Sequence, residues 1–317
     1  VALAPNHELD LKAGWKLARV VNRLRPDIVH AHDPHAVAMA ALALSMSTAE
    51  PVPPLVASRR VDFHLKPNSF SKWKHRQVAM FIAASEAIAR ILQADGVPGA
   101  RIATVHEGID VDRVAGIEPV SVHAELWLPT HAPIVGNIGA LVAHKGQRHL
   151  IDAAALVVRD VPDARFVVLG EGELRPALEQ QVRSLHLEKH VLLPGFRADV
   201  LALLKTFDVF VMSSETEGLG TSILDAMACG RPVVGTRTGG IPEVVEDGVT
   251  GRLVEPRDPR ALAQAITALL KDEPLRARMG AAGLARVRER FTVDRMVEGT
   301  LRVYQDVIAH SSVTVHS

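Results

Sequence analysis

Two acids, Glu217 and Asp225, flank a run of small residues in "ETEGLGTSILDAMACG". Between them Gly218, Leu219, Gly220 and Thr221 read as a tight turn into a helix. Such a turn presents free backbone N–H groups and the positive end of the helix dipole, which suits a phosphate. Asp225 has a second reading, as the last residue of a Ser222-x-x-Asp225 capping box. "GALVAHKGQ" repeats the arrangement, with Gly139 after a strand and Lys145 placed to neutralise a phosphate from the same rim. "GTRTGGIPEVV" adds a third glycine junction, with Pro242 suited to a first helical turn. Three such junctions point to a ligand with a large phosphorylated footprint, such as a nucleoside diphosphate.

Other groups have chemical readings too. "HAHDPH" offers His30, His32, Asp33 and His35 as metal ligands of a hydrolase, although Pro34 stands where that pattern needs an acid. "DVD" (Asp110 and Asp112) matches the Asp-x-Asp of metal-dependent sugar transfer, and also a plain strand-end turn. The Arg59–Arg76 segment carries six Lys or Arg residues and a single acid, with Phe63, Phe70 and Trp73 interleaved. Arg59, Arg60, Lys72, Lys74 and Arg76 there suit an anionic membrane surface or a lipid-phosphate acceptor. A solvated loop with buried aromatics is the other reading.

The elements that must position these residues alternate in type. "PDIVHAH", "PLVASRR", "MFIAAS" and "IATVHEG" read as short buried strands between helices. After Pro129 the series restarts with "APIVGNIG", "ARFVVLGEG", "HVLLPG", "DVFVMSS", "RPVVGT" and "GRLVE". Alternation of this kind predicts an α/β fold of two doubly wound parallel sheets, divided near Leu126–His131. Ligands of such sheets sit beyond the carboxyl ends of the strands, where most of the residues above fall.

Composition narrows the function classes. The chain has 317 residues, 48% of them hydrophobic, enough for two cores. Lys plus Arg and Asp plus Glu are 36 each, so no global field steers it to nucleic acid. The one cysteine, Cys229, excludes a disulfide framework and a cysteine zinc site, and reads as a small core residue. A reducing, cytoplasmic setting is expected, with peripheral membrane contact through the basic segment. The apolar Ala36–Met46 run is too short for a membrane span and predicts a buried helix.

The Glu217-x7-Asp225 spacing followed by "AMACGRPVVGTRTGGIPEVVEDGVTG" resembles family 4 retaining glycosyltransferases. "NIGALVAHKG" and "PDIVHAHDP" resemble that family's lysine loop and its acceptor-domain histidine segment. The resemblance implies a GT-B architecture, two Rossmann-like domains facing a cleft. Residues 1–129 would be an acceptor-side domain, 130–291 the nucleotide-sugar domain, and 292–317 a helix returning to the first. The family's first strand and glycine-rich loop would precede Val1, leaving the first domain incomplete.

The implied activity is transfer of a sugar from a nucleoside diphosphate to a glycan or lipid-linked acceptor, with retention. His32, Lys145 and Glu217 would be catalytic; Gly139, Lys145, Gly218, Leu219, Gly220, Thr221 and Asp225 would hold the donor. Glu217 would lie beside the donor sugar, Asp225 at the ribose hydroxyls, His32 near the reacting carbon. Lys145 would neutralise the leaving diphosphate, so neither metal nor cofactor is expected beyond the donor itself. Asp225 stands where the family usually has Glu, and Ala140 where it often has Arg. A non-catalytic nucleotide-sugar-binding protein is the alternative reading.

Overall fold

The computed structural model describes residues 10–313. These form two compact units. One takes the described residues up to His106 together with those from Met296 onward; the other is Glu107–Arg295.

The first unit is built on four parallel strands, β1 (Val29–Ala31), β2 (Leu55–Arg59), β3 (Val78–Ala83) and β4 (Ile102–Thr104), in that spatial order. Its helices start where the sequence offers a side-chain cap. Asp33 accepts from the amides of His35 and Ala36, ahead of Pro34 in the first turn of Pro34–Ser45. Ser85 does the same for Glu86–Ala94 through the Ile88 amide. Pro34–Ser45 is apolar on every side and buried from Val37 to Ala43, as the Ala36–Met46 run predicts. It packs with Glu86–Ala94 on one sheet face, through Val37, Ala41, Ile88 and Leu92. On the other face Val303 and Val307 of the last helix, Val293–Val313, cover Val56 and Ile82.

The second unit holds six parallel strands: β5 (Ile134–Ile138), β6 (Arg165–Leu169), β7 (Val191–Gly195), β8 (Val209–Met212), β9 (Val233–Thr236) and β10 (Gly251–Val254). Their spatial order is β10-β9-β8-β5-β6-β7. Both faces are covered, so the central strands are continuous apolar runs rather than alternating ones. Gln147–Asp160 and Pro259–Lys271 bury Leu150, Ile151, Leu262 and Ile266 on one side. Thr221–Ala228 and Glu273–Arg290 bury Ile223, Leu224, Met227 and Val287 on the other. The chain runs outward from β5 through β7, then returns to lay β8 on the other side of β5. That reversal makes β5/β8 the topological switch point, where an open parallel sheet binds its ligand.

The division between units falls at His106/Glu107 rather than at 129/130. Residues 107–129 contain no strand to reveal their allegiance, yet their apolar side chains belong to the second core. Val111, Val114 and Val122 are buried there, the Ile109 amide donates to the Phe291 carbonyl, and that of Val120 to Ala202. Among the described residues no helix is long and apolar enough to cross a membrane.

Candidate functional site

The residues expected to hold a donor come together at the switch point of the second unit. After β5 the chain makes a short 3-10 turn, Ala143–Lys145, and enters the helix Gln147–Asp160 through Gly146. Gln147 Nε2 donates to the Ala140 carbonyl at 2.9 Å and so ties this loop to the helix start. After the neighbouring β8, Ser213–Gly220 leads into Thr221–Ala228. Asn137 fastens the two strands, its Nδ2 donating to the Val211 carbonyl at 2.8 Å.

Across this junction Lys145 Nζ donates to Glu217 Oε2 at 2.6 Å, with the two side chains 21% and 11% exposed. Ser214 Oγ donates to the same oxygen at 3.1 Å. The Glu217 backbone is fixed as firmly: its carbonyl accepts from the Gly240 amide at 3.1 Å. A Cβ on Gly239 would stand 1.7 Å from that carbonyl oxygen, so only glycine lets the third loop come this close. Behind them Glu215 accepts from His149 Nε2 at 3.0 Å and pairs with Arg257. The Arg257 guanidinium, with His149 assisting, holds the Glu215 carboxyl below the usual range. Ser214, Glu215, His149 and Arg257 carry no motif, and sequence reasoning missed them. Glu215 alone had a signal, two residues before Glu217 on the same rim.

Helix starts in this chain are of two kinds. Asp10, Asp33, Asn68, Ser85, Asp110, Ser121, Asp258 and Asp272 each cap a helix with a side-chain oxygen. Gly146, Gly220 and Gly240, at the carboxyl edge of this sheet, offer none, and neither do Leu174 and Asp199 at the starts that follow β6 and β7. Gly220 adopts φ +88°, the left-handed turn that a side chain resists. Helix starts without side-chain caps keep N–H donors available to an anion. Leu219 is buried beneath the turn and Thr221 is exposed on it.

Asp225 is not a cap. The helix begins at Thr221, so Ser222 lies inside it and its Oγ donates instead to the Ile138 carbonyl at 3.3 Å. Asp225 sits three residues further on, one turn along the same face. Among the described residues it has no ion-pair partner, and burial pushes its carboxyl up to about 6. Cys229, read as core, is only half-buried at the C-terminal end of that helix; burial pushes its thiol up to about 11.

The remaining expected residues lie in the first unit. His32 is exposed just past β1, its ring 4.1 Å from that of His30. His30 is held at both nitrogens, by Tyr304 Oη at 2.6 Å and Ser58 Oγ at 2.8 Å. Burial first, then His32 and Arg60, lower its pKa to about 4, so it is neutral at physiological pH. Asp33 is engaged as a helix cap with exposed His35 4.0 Å from it, and among the described residues no three His, Cys, Asp or Glu side chains gather as a metal site. Asp110 likewise caps Val111–Ala115 through the Arg113 amide. A small cavity of about 100 Å³ opens beside His32, with Arg59, Arg60 and His75 in its wall.

The basic segment does not turn all its cations outward. Lys72 and Arg76 are exposed on Ser69–Arg76 and Arg60 before it, but Lys74 is 4% exposed. Its ammonium turns inward to the Pro34 carbonyl at 3.1 Å and lies 5.7 Å from the Phe70 ring. Phe70 and Trp73 stack on each other, 5.6 Å apart, while Phe63 is exposed.

Comparison with known proteins adds a family to this geometry. Residues 122–286 match the model of glycosyl transferases group 1, and residues 1–113 match that of Glycosyltransferase Family 4. N-acetyl-alpha-D-glucosaminyl L-malate synthase of Bacillus anthracis is 31% identical over 306 residues, covering 94% of this chain and 80% of that protein. Among solved structures, Anabaena Alr3699/HepE in complex with UDP superposes with a TM-score of 0.81 at 25% identity, over 92% of this chain and 82% of that one. The same protein is also known with UDP-glucose bound. A glycosyltransferase of Rickettsia africae shares the fold at 20% identity, with a TM-score of 0.83 and coverage of 97% and 84%. Family model, sequence relatives and fold relatives agree: this chain belongs to the glycosyl transferases group 1 family and has the GT-B fold.

Proposed function

We propose that the chain moves a sugar from a nucleoside-diphosphate donor, a UDP-sugar, to a glycan or lipid-linked acceptor. The transfer retains anomeric configuration and needs no metal. The observation that carries this reading is the Lys145–Glu217 pair at the β5/β8 switch point, beside two helix starts without side-chain caps.

On this reading the diphosphate lies across the starts after Gly146 and Gly220, where N–H groups and helix dipoles receive it. Gly139, Gly218, Leu219 and Thr221 line its approach. Lys145 exchanges part of its contact with Glu217 for the terminal phosphate. As the bond from sugar carbon to phosphate oxygen breaks, an acceptor hydroxyl oxygen bonds to that carbon and gives its proton to the departing phosphate, whose gathering charge Lys145 stabilises in a preorganised position. Glu217, relieved of its cation, accepts from a sugar hydroxyl, and the unpaired Asp225 accepts from the ribose. His32 is the third catalytic residue on this reading. The chemistry of these donors fits a diphosphate without a bridging cation, because Lys145 and the helix starts already supply positive charge.

The UDP complexes of the Anabaena protein support the donor class. The Bacillus relative's name specifies an alpha linkage, the anomer that retention leaves from an alpha-linked nucleotide sugar. A reducing, cytoplasmic setting with peripheral membrane contact completes the proposal. Incubation with UDP-glucose in excess chelator should release UDP and leave an alpha product by proton NMR. A beta product, or turnover restored only by manganese or magnesium, would overturn retention or metal independence respectively. Binding without any UDP release would favour the non-catalytic reading.

A further inference from the structure

The first unit has a second, larger cavity of about 420 Å³ beside the one at His32. That volume lies in the range ligand sites occupy, roughly 300–1,000 Å³. Lys66, Lys72, Arg76 and Arg101 stand in its wall. Among the described residues Lys66, Lys72 and Arg76 have no ion-pair partner. Arg101 donates through Nη2 to the carbonyls of His75 at 2.9 Å, Arg76 at 3.3 Å and Val78, which holds its guanidinium in place. Asp95 is the only acid in the wall, and it is already engaged. One oxygen takes His64 Nδ1 and the other the Leu65 amide, both at 2.6 Å.

A concentration of four cations against one occupied carboxylate is out of keeping with a chain whose charges balance. Like charges gathered around a concave wall repel one another and focus positive potential into it. An anion relieves both effects, and phosphate suits a mixed Lys and Arg wall through charge-assisted hydrogen bonds. Leu65 and His75 line this cavity and the His32 cavity alike, so the two are neighbours.

We propose that the acceptor carries a phosphate group and that this cavity holds it, with the rest of the acceptor reaching along Leu65 and His75 toward His32. The proposal rests on the transferase reading and names its substrate class. The phosphate can belong to a soluble ester or to a lipid headgroup.

The test uses inorganic phosphate as the probe, titrated calorimetrically into the full chain carrying Lys145→Ala, which removes the donor-side cation. Adding Lys72→Gln and Arg76→Gln should weaken phosphate binding about tenfold or more. Neither side chain has an ion-pair partner among the described residues, so the melting temperature should hold. If it falls, Lys66→Gln, on the connecting loop, replaces them and should show the same loss in kind. Arg101 is left intact because it closes the end of Ser69–Arg76. Equal phosphate affinity with and without these substitutions would overturn the proposal. Sedimentation with phosphatidylglycerol vesicles, absent with phosphatidylcholine and lost in the Gln variant, assigns the phosphate to a lipid. Phosphate binding without such sedimentation assigns a soluble ester. UDP affinity in wild type against Lys145→Ala tests the transferase reading separately, so one can fail while the other stands.

Discussion

The ligand role proposed for Asp225 can be weighed on a single side chain. Folding alone would not choose an unpaired, half-buried carboxylate, because burial disfavours its charged form and raises it to about 6 from 3.8. An acid raised on folding stabilises the native state only while protonated, at low pH. That contribution is lost as pH rises through about 6, so at neutral pH the charge is a net cost. Asp225→Asn should therefore raise stability at pH 7.5 by on the order of 2 kcal/mol, with the gain vanishing below about pH 4. Donor affinity should move the other way, since the amide no longer accepts two ribose hydroxyls as a carboxylate does. In wild type, donor binding should weaken as pH falls below about 6. Denaturant melts and calorimetry across that range check both slopes; a variant less stable at every pH would contradict the assignment. His30 runs in the opposite sense. Its pKa is lowered to about 4, so its contribution is present above about 6.5 and fades as acid charges it. Wild-type stability in mild acid therefore balances the two, and His30→Gln should make stability rise as pH falls from about 6.5 to about 4 in thermal melts.

At the scale of elements, the site is made by loops that approach one another through glycine. Gly239→Ala would force a Cβ into the Glu217 carbonyl, 1.7 Å away, in a backbone already at φ +52°. The third loop must retreat, and Glu217 loses the Gly240 amide that fixes it. We expect a loss of about 2–4 kcal/mol in stability and loss of donor binding, measured by thermal melting with and without UDP. The helix Ser69–Arg76 makes a second prediction. Lys74→Glu buries an acid facing the Pro34 carbonyl and should cost on the order of 3 kcal/mol, while Lys72→Glu, two residues away, should leave the melting temperature nearly unchanged. Similar melting of both variants would contradict the inward placement of Lys74.

Local sequence discloses part of this site and hides the rest. Strand–glycine–helix junctions announce themselves because turn, dipole and apolar run are all local, and so Lys145, Glu217 and Gly220 are legible. The capping-box reading of Ser222 fails because a cap depends on where the helix begins, and Gly220 starts it earlier. Lys74 is misplaced by sequence because a basic eight-residue helix hardly reveals which face is inward. Ser214, His149 and Arg257 gather around Glu217 and Glu215 only through tertiary packing, which no spacing encodes.

For the whole molecule, two parallel sheets and balanced charge leave the chemistry to local fields rather than a global one. The strand alternation foretells both sheets, but not that 107–129 join the second, because those residues pack as short helices and turns without a strand of their own. The proposed function requires that the switch point of the second unit bind a nucleoside diphosphate through Lys145 without metal. The direct measurement is calorimetric titration of UDP in excess chelator into wild type and Lys145→Ala. Loss of one charge-assisted contact to phosphate should weaken binding about tenfold, while the melting temperature of the free protein stays within a few degrees. Equal UDP affinity in the two proteins, or binding that appears only when manganese or magnesium is restored, would contradict it.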